Sequence, residues 1–288
     1  MEYYQISDGS LLPKIGFGTY DVKGTDGRAA IRYALDAGYR LFDTASLYET
    51  EYDLGLALKE SNIPREEYQI ETKLWIDEMD DPRKALENSL RRLGTEYVDI
   101  YMIHWPRQTG AYDENWKSQD LKTYQILESL VKSGKVKHIG LSNFLPHHLQ
   151  NILECCSIKP VVDQLELHAG YHQEFAIRYC HEHSIVPMAW CPLGHGCAVV
   201  QDSDFRRQLA DKYGRSVQQI DLRFLLQKGI LPIPKASSPE HISANLKVFD
   251  FCLTDEEISM MSCIPQTSWL GEHPDFMIPE VKSNPEQI

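Results

Sequence analysis

Short apolar runs alternate along the chain with longer segments whose apolar residues recur every three or four positions. The short runs fall at 14–19, 39–42, 68–74, 98–103, 136–141, 161–167, 185–190 and 230–233. Several hold consecutive apolar residues, as Ile100-Tyr-Met-Ile103 does, and parallel strands buried on both faces need that composition. The longer segments carry helix punctuation. Asp81-Pro82 supplies a cap and a first-turn proline, Leu86, Leu90 and Leu93 share one face, and Gly94 ends the helix. Leu121, Tyr124, Leu127, Leu130 and Val131 repeat the pattern ahead of Gly134. Ser216-Val-Gln-Gln219 and Thr254-Asp-Glu-Glu257 have the form of capping boxes, and Ser238-Pro239 opens a further helix.

About eight strand–helix units are what close a (β/α)8 barrel. The pattern therefore predicts an α/β chain with one domain over 1–288, a (β/α)8 TIM barrel. Runs at 3–6 and 11–13 flank Asp8-Gly9 and predict a short N-terminal β-hairpin at the barrel's base. The C-terminal tail is expected over the active-site rim. A doubly wound sheet would need a nucleotide-binding glycine pattern after its first strand. Gly16-Phe-Gly18-Thr-Tyr-Asp21 puts an aspartate where the third glycine is required, and no P-loop occurs.

Composition narrows the partners. The 288 residues hold 42 acidic against 29 basic residues, a formal charge of −13. Such a balance excludes the basic footprint of a nucleic-acid binder and of a protein held on anionic lipid. No apolar run reaches the roughly 18 residues of a membrane span. Met1-Glu2-Tyr3-Tyr4-Gln5 lacks the basic and apolar parts of a secretory leader. Seven cysteines, an odd number without a CxxC, read as reduced thiols. A cytoplasmic location is expected.

In a barrel of this kind chemistry gathers where strands end at their carboxyl side. The second strand ends in Phe42-Asp43-Thr-Ala-Ser-Leu-Tyr48, the third carries Lys73, and the fourth ends in His104-Trp105-Pro106. Successive strands thus deliver Asp43 and Tyr48, then Lys73, then His104 to one rim. A phenol with a free pKa of about 10 is a poor proton donor at neutral pH. A neighbouring ammonium favours its phenolate, and a carboxylate offsets the cost of burying that ammonium. A histidine donates to a substrate oxygen and orients it. Together they form a device that protonates an oxygen as it gains negative charge, which suits carbonyl reduction. Taken singly, each residue reads as a helix cap or a packed core group; the set on three successive strands is what carries the site.

The later strand ends offer amides and an aromatic face: Ser142-Asn143, Gln164 and Trp190. These suit a flat heteroaromatic amide ring. The eighth gives Lys235, Ser237 and Ser238 before a helix start, which suits a phosphate.

At these residues the chain resembles the aldo-keto reductase family. The resemblance rests on Gly38-Tyr-Arg-Leu-Phe-Asp43-Thr-Ala-Ser-Leu-Tyr48-Glu-Thr-Glu51 with Gly55, and on Thr72-Lys73-Leu-Trp75. His104-Trp105-Pro106, Gly140-Leu-Ser-Asn143-Phe144 and Ile233-Pro-Lys235 follow in order, so it covers nearly the whole length. It implies a monomeric barrel that binds NADPH or NADH and transfers hydride to a small aldehyde, ketone, keto sugar or dicarbonyl. By that resemblance Tyr48 is the general acid, Lys73 lowers its pKa, Asp43 holds Lys73, and His104 positions the carbonyl. It further implies cofactor contacts at Thr19, Tyr20, Ser142, Asn143, Gln164, Trp190, Cys191, Leu193, Lys235, Ser237, Ser238, His241 and Asn245. A substrate pocket walled by Tyr20, Trp75, Trp105 and Trp269 is expected.

The chain departs from the family pattern in places. Cys191, Asp163 and Ala169 stand where serine, asparagine and proline are usual. Ala236 and His241 stand where a serine and an arginine bind the 2′-phosphate, so NADPH is expected to be favoured only weakly, with NADH usable. Three alternatives compete with this reading. A metal-dependent hydrolase would draw on His181-Glu-His183, His147-His148 and His168, but His181 and His183 precede the seventh strand and fall at the structural rim, and no metal is expected. A Schiff-base aldolase would use Lys73 without a nicotinamide. A regulatory subunit on the same fold would bind cofactor with little turnover.

Overall fold

The computed structural model describes residues 2–107, 115–196, 203–266, 270–271 and 273–275. One eight-stranded parallel sheet runs in chain order. Its strands are β3 (Phe17–Gly18), β4 (Leu41–Asp43), β5 (Gln69–Leu74), β6 (Val98–Ile103), β7 (Val136–Ser142), β8 (Val162–Glu166), β9 (Val186–Trp190) and β10 (Leu231–Pro232). The sheet curls until its edges meet. Gly16 N donates to Pro232 O at 3.1 Å and Gly18 N to Pro234 O at 3.2 Å. A Cβ on Gly18 would stand 3.2 Å from the Ile233 side chain, so the closing seam has little room there for anything larger than glycine.

The expected hairpin is present as β1 (Tyr3–Gln5) paired antiparallel with β2 (Leu11–Pro13). Tyr4 Oη donates to Ile230 O at 3.2 Å, which ties the hairpin to the base of β10. The connecting helices are α1 (Gly24–Ala37), α2 (Glu51–Glu60), α3 (Pro82–Leu93), α4 (Trp116–Lys132), α5 (Pro146–Leu153), α6 (Glu174–Glu182), α7 (Asp204–Tyr213) and α8 (Val217–Gln227). Two more, α9 (Pro239–Leu246) and α10 (Asp255–Ser262), follow β10.

The caps read from the sequence are formed. Asp81 accepts from Lys84 N at the start of α3, and Gly94 ends it in the left-handed region at φ 65°. Reciprocal capping boxes open α8 and α10. The outer strands β3 and β10 are only two residues long where longer runs were expected. Pro232 lies in β10 and Pro234 just after it, and neither can donate to a ladder.

Inside the barrel Leu41, Ile100, Met102, Val162, Met188, Leu231 and Ile233 form one apolar cluster. Gly140 belongs to this layer: a Cβ there would lie 2.7 Å from Val162 and 2.8 Å from Met102. Toward the strand ends the interior turns polar, with Asp43, Glu71, Lys73 and Gln164 all buried. A separate, larger apolar cluster seats many of the helices on the outside of the sheet.

Asp163 in β8 is fully buried against α6, where Cys180 Sγ lies 3.9 Å from its Oδ2. Burial raises its carboxyl well above the ordinary range, although a backbone bond from Phe144 and the Cys180 thiol pull the other way. The folded state therefore binds a proton that the unfolded chain releases above about pH 3.9, and stability falls as pH rises between the two pKa values. One such group gives a slope of about 1.4 kcal/mol per pH unit in that window. Asp163→Asn is neutral and nearly isosteric. It is expected to raise the melting temperature by a few °C at neutral pH, with the gain growing as pH rises from the ordinary carboxylate range toward neutrality. Melts across that range check it, and a gain independent of pH would contradict the account.

Candidate active site

Lys73 organises the rim. It enters on β5, fully buried, and its Nζ donates to Asp43 Oδ1 at the end of β4. It also donates to Thr44 O at 2.9 Å and Tyr48 Oη at 3.3 Å. The three acceptors match the three protons of an ammonium. Tyr48 reaches the group because a single helical turn, Ser46–Tyr48, follows β4 directly. His104 comes next, just past β6, with its ring edge-on to Tyr48 at 5.5 Å between centroids. Trp75 packs against His104 at 5.0 Å and Tyr20 against Tyr48 at 5.1 Å, which walls the rim with aromatic faces.

The charge states follow from these neighbours. Burial alone would lower the Lys73 pKa, but Asp43, Tyr48 and Glu71 outweigh it and hold the ammonium above its usual value. For Tyr48, burial raises the pKa and Lys73 pulls it back, leaving it up at about 12. The resemblance implied that Lys73 lowers the Tyr48 pKa. The direction of Lys73's effect is right, but desolvation of the phenol is larger. At neutral pH the group is thus a neutral phenol against an ammonium, the form in which a phenol can donate a proton.

The residues expected around a nicotinamide continue the same network. Asn143 sits in the left-handed region at φ 62°, which asparagine tolerates well. Its Nδ2 donates to His104 O at 3.0 Å and its Oδ1 accepts from Trp190 Nε1 at 2.9 Å. Ser142 Oγ donates to Gln164 O at 3.1 Å, and Gln164 Nε2 donates to Asp43 Oδ1 at 2.9 Å. Buried Thr19 donates to Asp43 O at 2.8 Å. Ser142, Asn143, Gln164, Trp190 and Thr19 are therefore assembled with Asp43, Tyr48, Lys73 and His104.

A second group stands apart at the first turn of α9. Lys235, Ser237 and His241 are exposed, and Ser238 Oγ accepts from His241 N at 3.3 Å as the helix cap. Ala236 and Asn245 are buried. Cys191, at φ 54°, and half-buried Leu193 follow β9. Trp75 and Trp105 are buried, Tyr20 is exposed, and Trp269 lies outside the described residues.

Two buried acids escaped the sequence reading. Glu71 lies two residues before Lys73, beside Asp43 in strand register. Glu166 lies two residues after Gln164; it accepts Leu270 N at 2.7 Å, Gly271 N at 2.9 Å and faces His168 Nε2 at 3.0 Å. The signal was the period of two along a strand, which places each acid on the same side as its functional neighbour. Glu166 thereby fixes part of the tail at the rim, where a Cβ on Gly271 would meet the Trp190 ring at 2.5 Å.

His147, His148 and Asp275 also converge, with ligand atoms within 4.8 Å of one another. His148 Nδ1 accepts Leu145 N–H at 3.1 Å, so a neutral ring keeps its proton on Nε2 and turns it to Asp275 Oδ1 at 3.3 Å. Burial holds His148 neutral, with its pKa down at about 3. That tautomer offers no lone pair to a cation, and the trio instead fastens the tail to α5. His181 is remote from all of this: it faces Gly229 at the base of the barrel, as its place before the seventh strand required.

Known proteins place the chain. The Aldo/keto reductase family model matches residues 14–264. Methylglyoxal reductase DkgA of Escherichia coli O157:H7 is 38% identical over 272 residues, 94% of this chain and 96% of that protein. The glyoxal reductase of Bacillus subtilis is 35% identical over 277 residues, 95% and 96% of the two chains. The crystal structure of an aldo-keto reductase from a Medee basin deep-sea metagenome superposes with a TM-score of 0.89 at 34% identity, covering 96% of this chain and 100% of that one. An aldo-keto reductase of Bombyx mori in complex with NADP does so at 0.84 and 31%, covering 92% and 93%. With a matching family model over most of its length and relatives alike from end to end, the chain belongs to the aldo/keto reductase family.

Proposed function

We propose that the protein reduces small aldehydes, ketones and dicarbonyls to alcohols at the Tyr48–Lys73–Asp43–His104 rim. The observation that carries this reading is the Lys73 Nζ bond to Tyr48 Oη at 3.3 Å, beside the His104 ring. The polar ends of β7 to β9 and the half-exposed Trp190 fit a nicotinamide, and Lys235 with the start of α9 fits the adenosine phosphate. When bound, the reduced nicotinamide supplies the hydride. Tyr48 then gives its proton to the carbonyl oxygen as that oxygen gains charge. Lys73 steadies the phenolate left behind, and Asp43 keeps Lys73 in place. His104 donates to the same oxygen and orients it.

The names of the E. coli and B. subtilis relatives make glyoxal and methylglyoxal the first compounds to try. The test is a panel of carbonyls with NADPH and NADH, followed by loss of dihydronicotinamide absorbance. A regulatory subunit without turnover would bind cofactor and leave every carbonyl unreduced; the intact hydrogen-bonded rim favours turnover. We read the protein as a cytoplasmic monomer; among the described residues no helix is long and apolar enough to cross a membrane. The rim supplies both proton donation and oxyanion stabilisation from side chains. Dialysis against a chelator is therefore expected to leave the rate unchanged, and a loss restored by zinc or manganese would contradict this.

Cofactor choice should be loose. Lys235 offers one positive charge to a 2′-phosphate, Ala236 offers no hydroxyl, and exposed His241 lacks the permanent charge and planar fork of an arginine. One missing charge-assisted bond is worth roughly 1.5–3 kcal/mol, or about tenfold or more in preference. NADPH is expected to lead NADH in kcat/KM by only about tenfold, and His241→Arg should widen that gap by a similar factor. A wild-type preference above about a thousandfold, unmoved by His241→Arg, would defeat the argument.

A further inference from the structure

The rim chemistry uses one carboxylate, yet the barrel interior holds two beside Lys73. Glu71 is in register with Asp43 on the neighbouring strand and precedes Lys73 by two residues on its own. Its exposure is 0%. Its Oε1 accepts from Gln164 Nε2 at 3.3 Å, the same nitrogen that donates to Asp43 Oδ1. Its Oε2 is buried and receives no hydrogen bond. On the other side its register partner is Ile100, part of the apolar interior.

Charge counting decides the state of this acid. Two ionised carboxylates side by side would face the single Lys73 ammonium in a space closed to water, and like charges so placed do not both ionise. Asp43 takes the Lys73 proton contact, so Glu71 is the one that keeps its own proton, on the oxygen that otherwise has no partner. We propose that Glu71 is a positioning residue: as a neutral acid it donates from Oε2 to Asp43 and so sets how strongly the Lys73 ammonium acts on Tyr48. This inference rests on the reading of Tyr48 as proton donor.

The groups facing Glu71 are Asp43 from β4, Lys73 from β5, Gln164 from β8 and, beyond Lys73, Tyr48. Burial first and then Asp43 raise its pKa well above the ordinary range, against the pull of Lys73. A negative Glu71 would in turn raise the Tyr48 pKa. With its proton in place, Glu71 withdraws charge from Asp43, leaves more of the ammonium's field for Tyr48, and keeps the phenol more acidic than Asp43 alone would allow.

The test is the pH profile of alcohol oxidation, whose acid limb follows formation of the Tyr48 phenolate. Glu71→Val removes the donor. It should move that limb upward by roughly half a pH unit or more and lower kcat at neutral pH, while the KM for NADP stays within about twofold. Glu71→Gln restores a neutral donor toward Asp43 and an acceptor for Gln164, so it should bring the limb back toward the wild-type position. A limb unmoved in Glu71→Val, or moved as far in Glu71→Gln, overturns the proposal. If Glu71→Val does not fold, infrared spectra of protein carrying isotope-labelled glutamate decide the matter without turnover. A protonated-carboxyl stretch present at pH 7 and missing in Glu71→Gln supports it, and no such band in the wild type overturns it. That band is expected even if Tyr48 proves not to be the acid, so the two readings fail separately.

Discussion

Tyr48→Phe is expected to lower kcat on a good aldehyde by about 10²–10⁴-fold, the usual contribution of a general acid. The substitution deletes one oxygen and leaves the ring, so Tyr48 should keep its edge-on contacts with Tyr20 and His104. Lys73 loses one of three acceptors but retains Asp43 and Thr44 O. The rim therefore stays assembled while its proton source is gone. The residues offered to the nicotinamide and to the phosphate sit on other strand ends, so cofactor affinity should stay within about twofold, a difference of roughly 0.4 kcal/mol. This pattern, a fall in kcat without a matching change in binding, marks an interaction made in the transition state. It is read by steady-state kinetics together with quenching of protein fluorescence by NADPH. Retention of more than about a tenth of the wild-type kcat would remove Tyr48 from its role.

The rim was legible in the sequence because its parts occupy positions with a fixed meaning. Asp43, Lys73 and His104 each lie at or just past a strand end, and a barrel sends those ends to one face. Chain order alone thus brought together residues that are 30 or more positions apart. For Glu71 and Glu166 the sequence held only the period of two along a strand, since each is a lone acid there and only the closed barrel shows what lies beside it. The contact of His147 and His148 with Asp275 joins segments 128 residues apart for the first pair, and no local pattern encodes such a meeting. The net Tyr48 shift was not legible for a related reason. The attraction of Lys73 follows from which residues are present, whereas desolvation depends on how completely the folded chain encloses the phenol. The strand bounds were misjudged at β3 and β10; at β10 proline removes donors that hydrophobicity does not register.

Lys73→Met tests whether the buried pair serves catalysis or merely the fold, and the two parts of the expected result differ. Breaking a buried ion pair by removing one partner costs about 3–5 kcal/mol, because the surviving charge is left in a low-dielectric space. Here Asp43 would retain the Gln164 Nε2 bond at 2.9 Å, which places the expected loss toward the lower end of that range. Asp43→Asn in the same chain removes the stranded charge, and the double variant should regain more than half of the lost stability. Turnover should follow a different course. Without the ammonium the main opposition to the desolvation that raises the Tyr48 pKa is gone, and among the described residues the phenolate formed on proton transfer loses the cation bonded to it. Both Lys73→Met and the double variant are therefore expected to lose at least about a hundredfold in kcat. Denaturant unfolding and carbonyl reduction measured on the same preparations separate the two effects. Activity that recovers in step with stability in the double variant would show that Lys73 acts only by holding the barrel together.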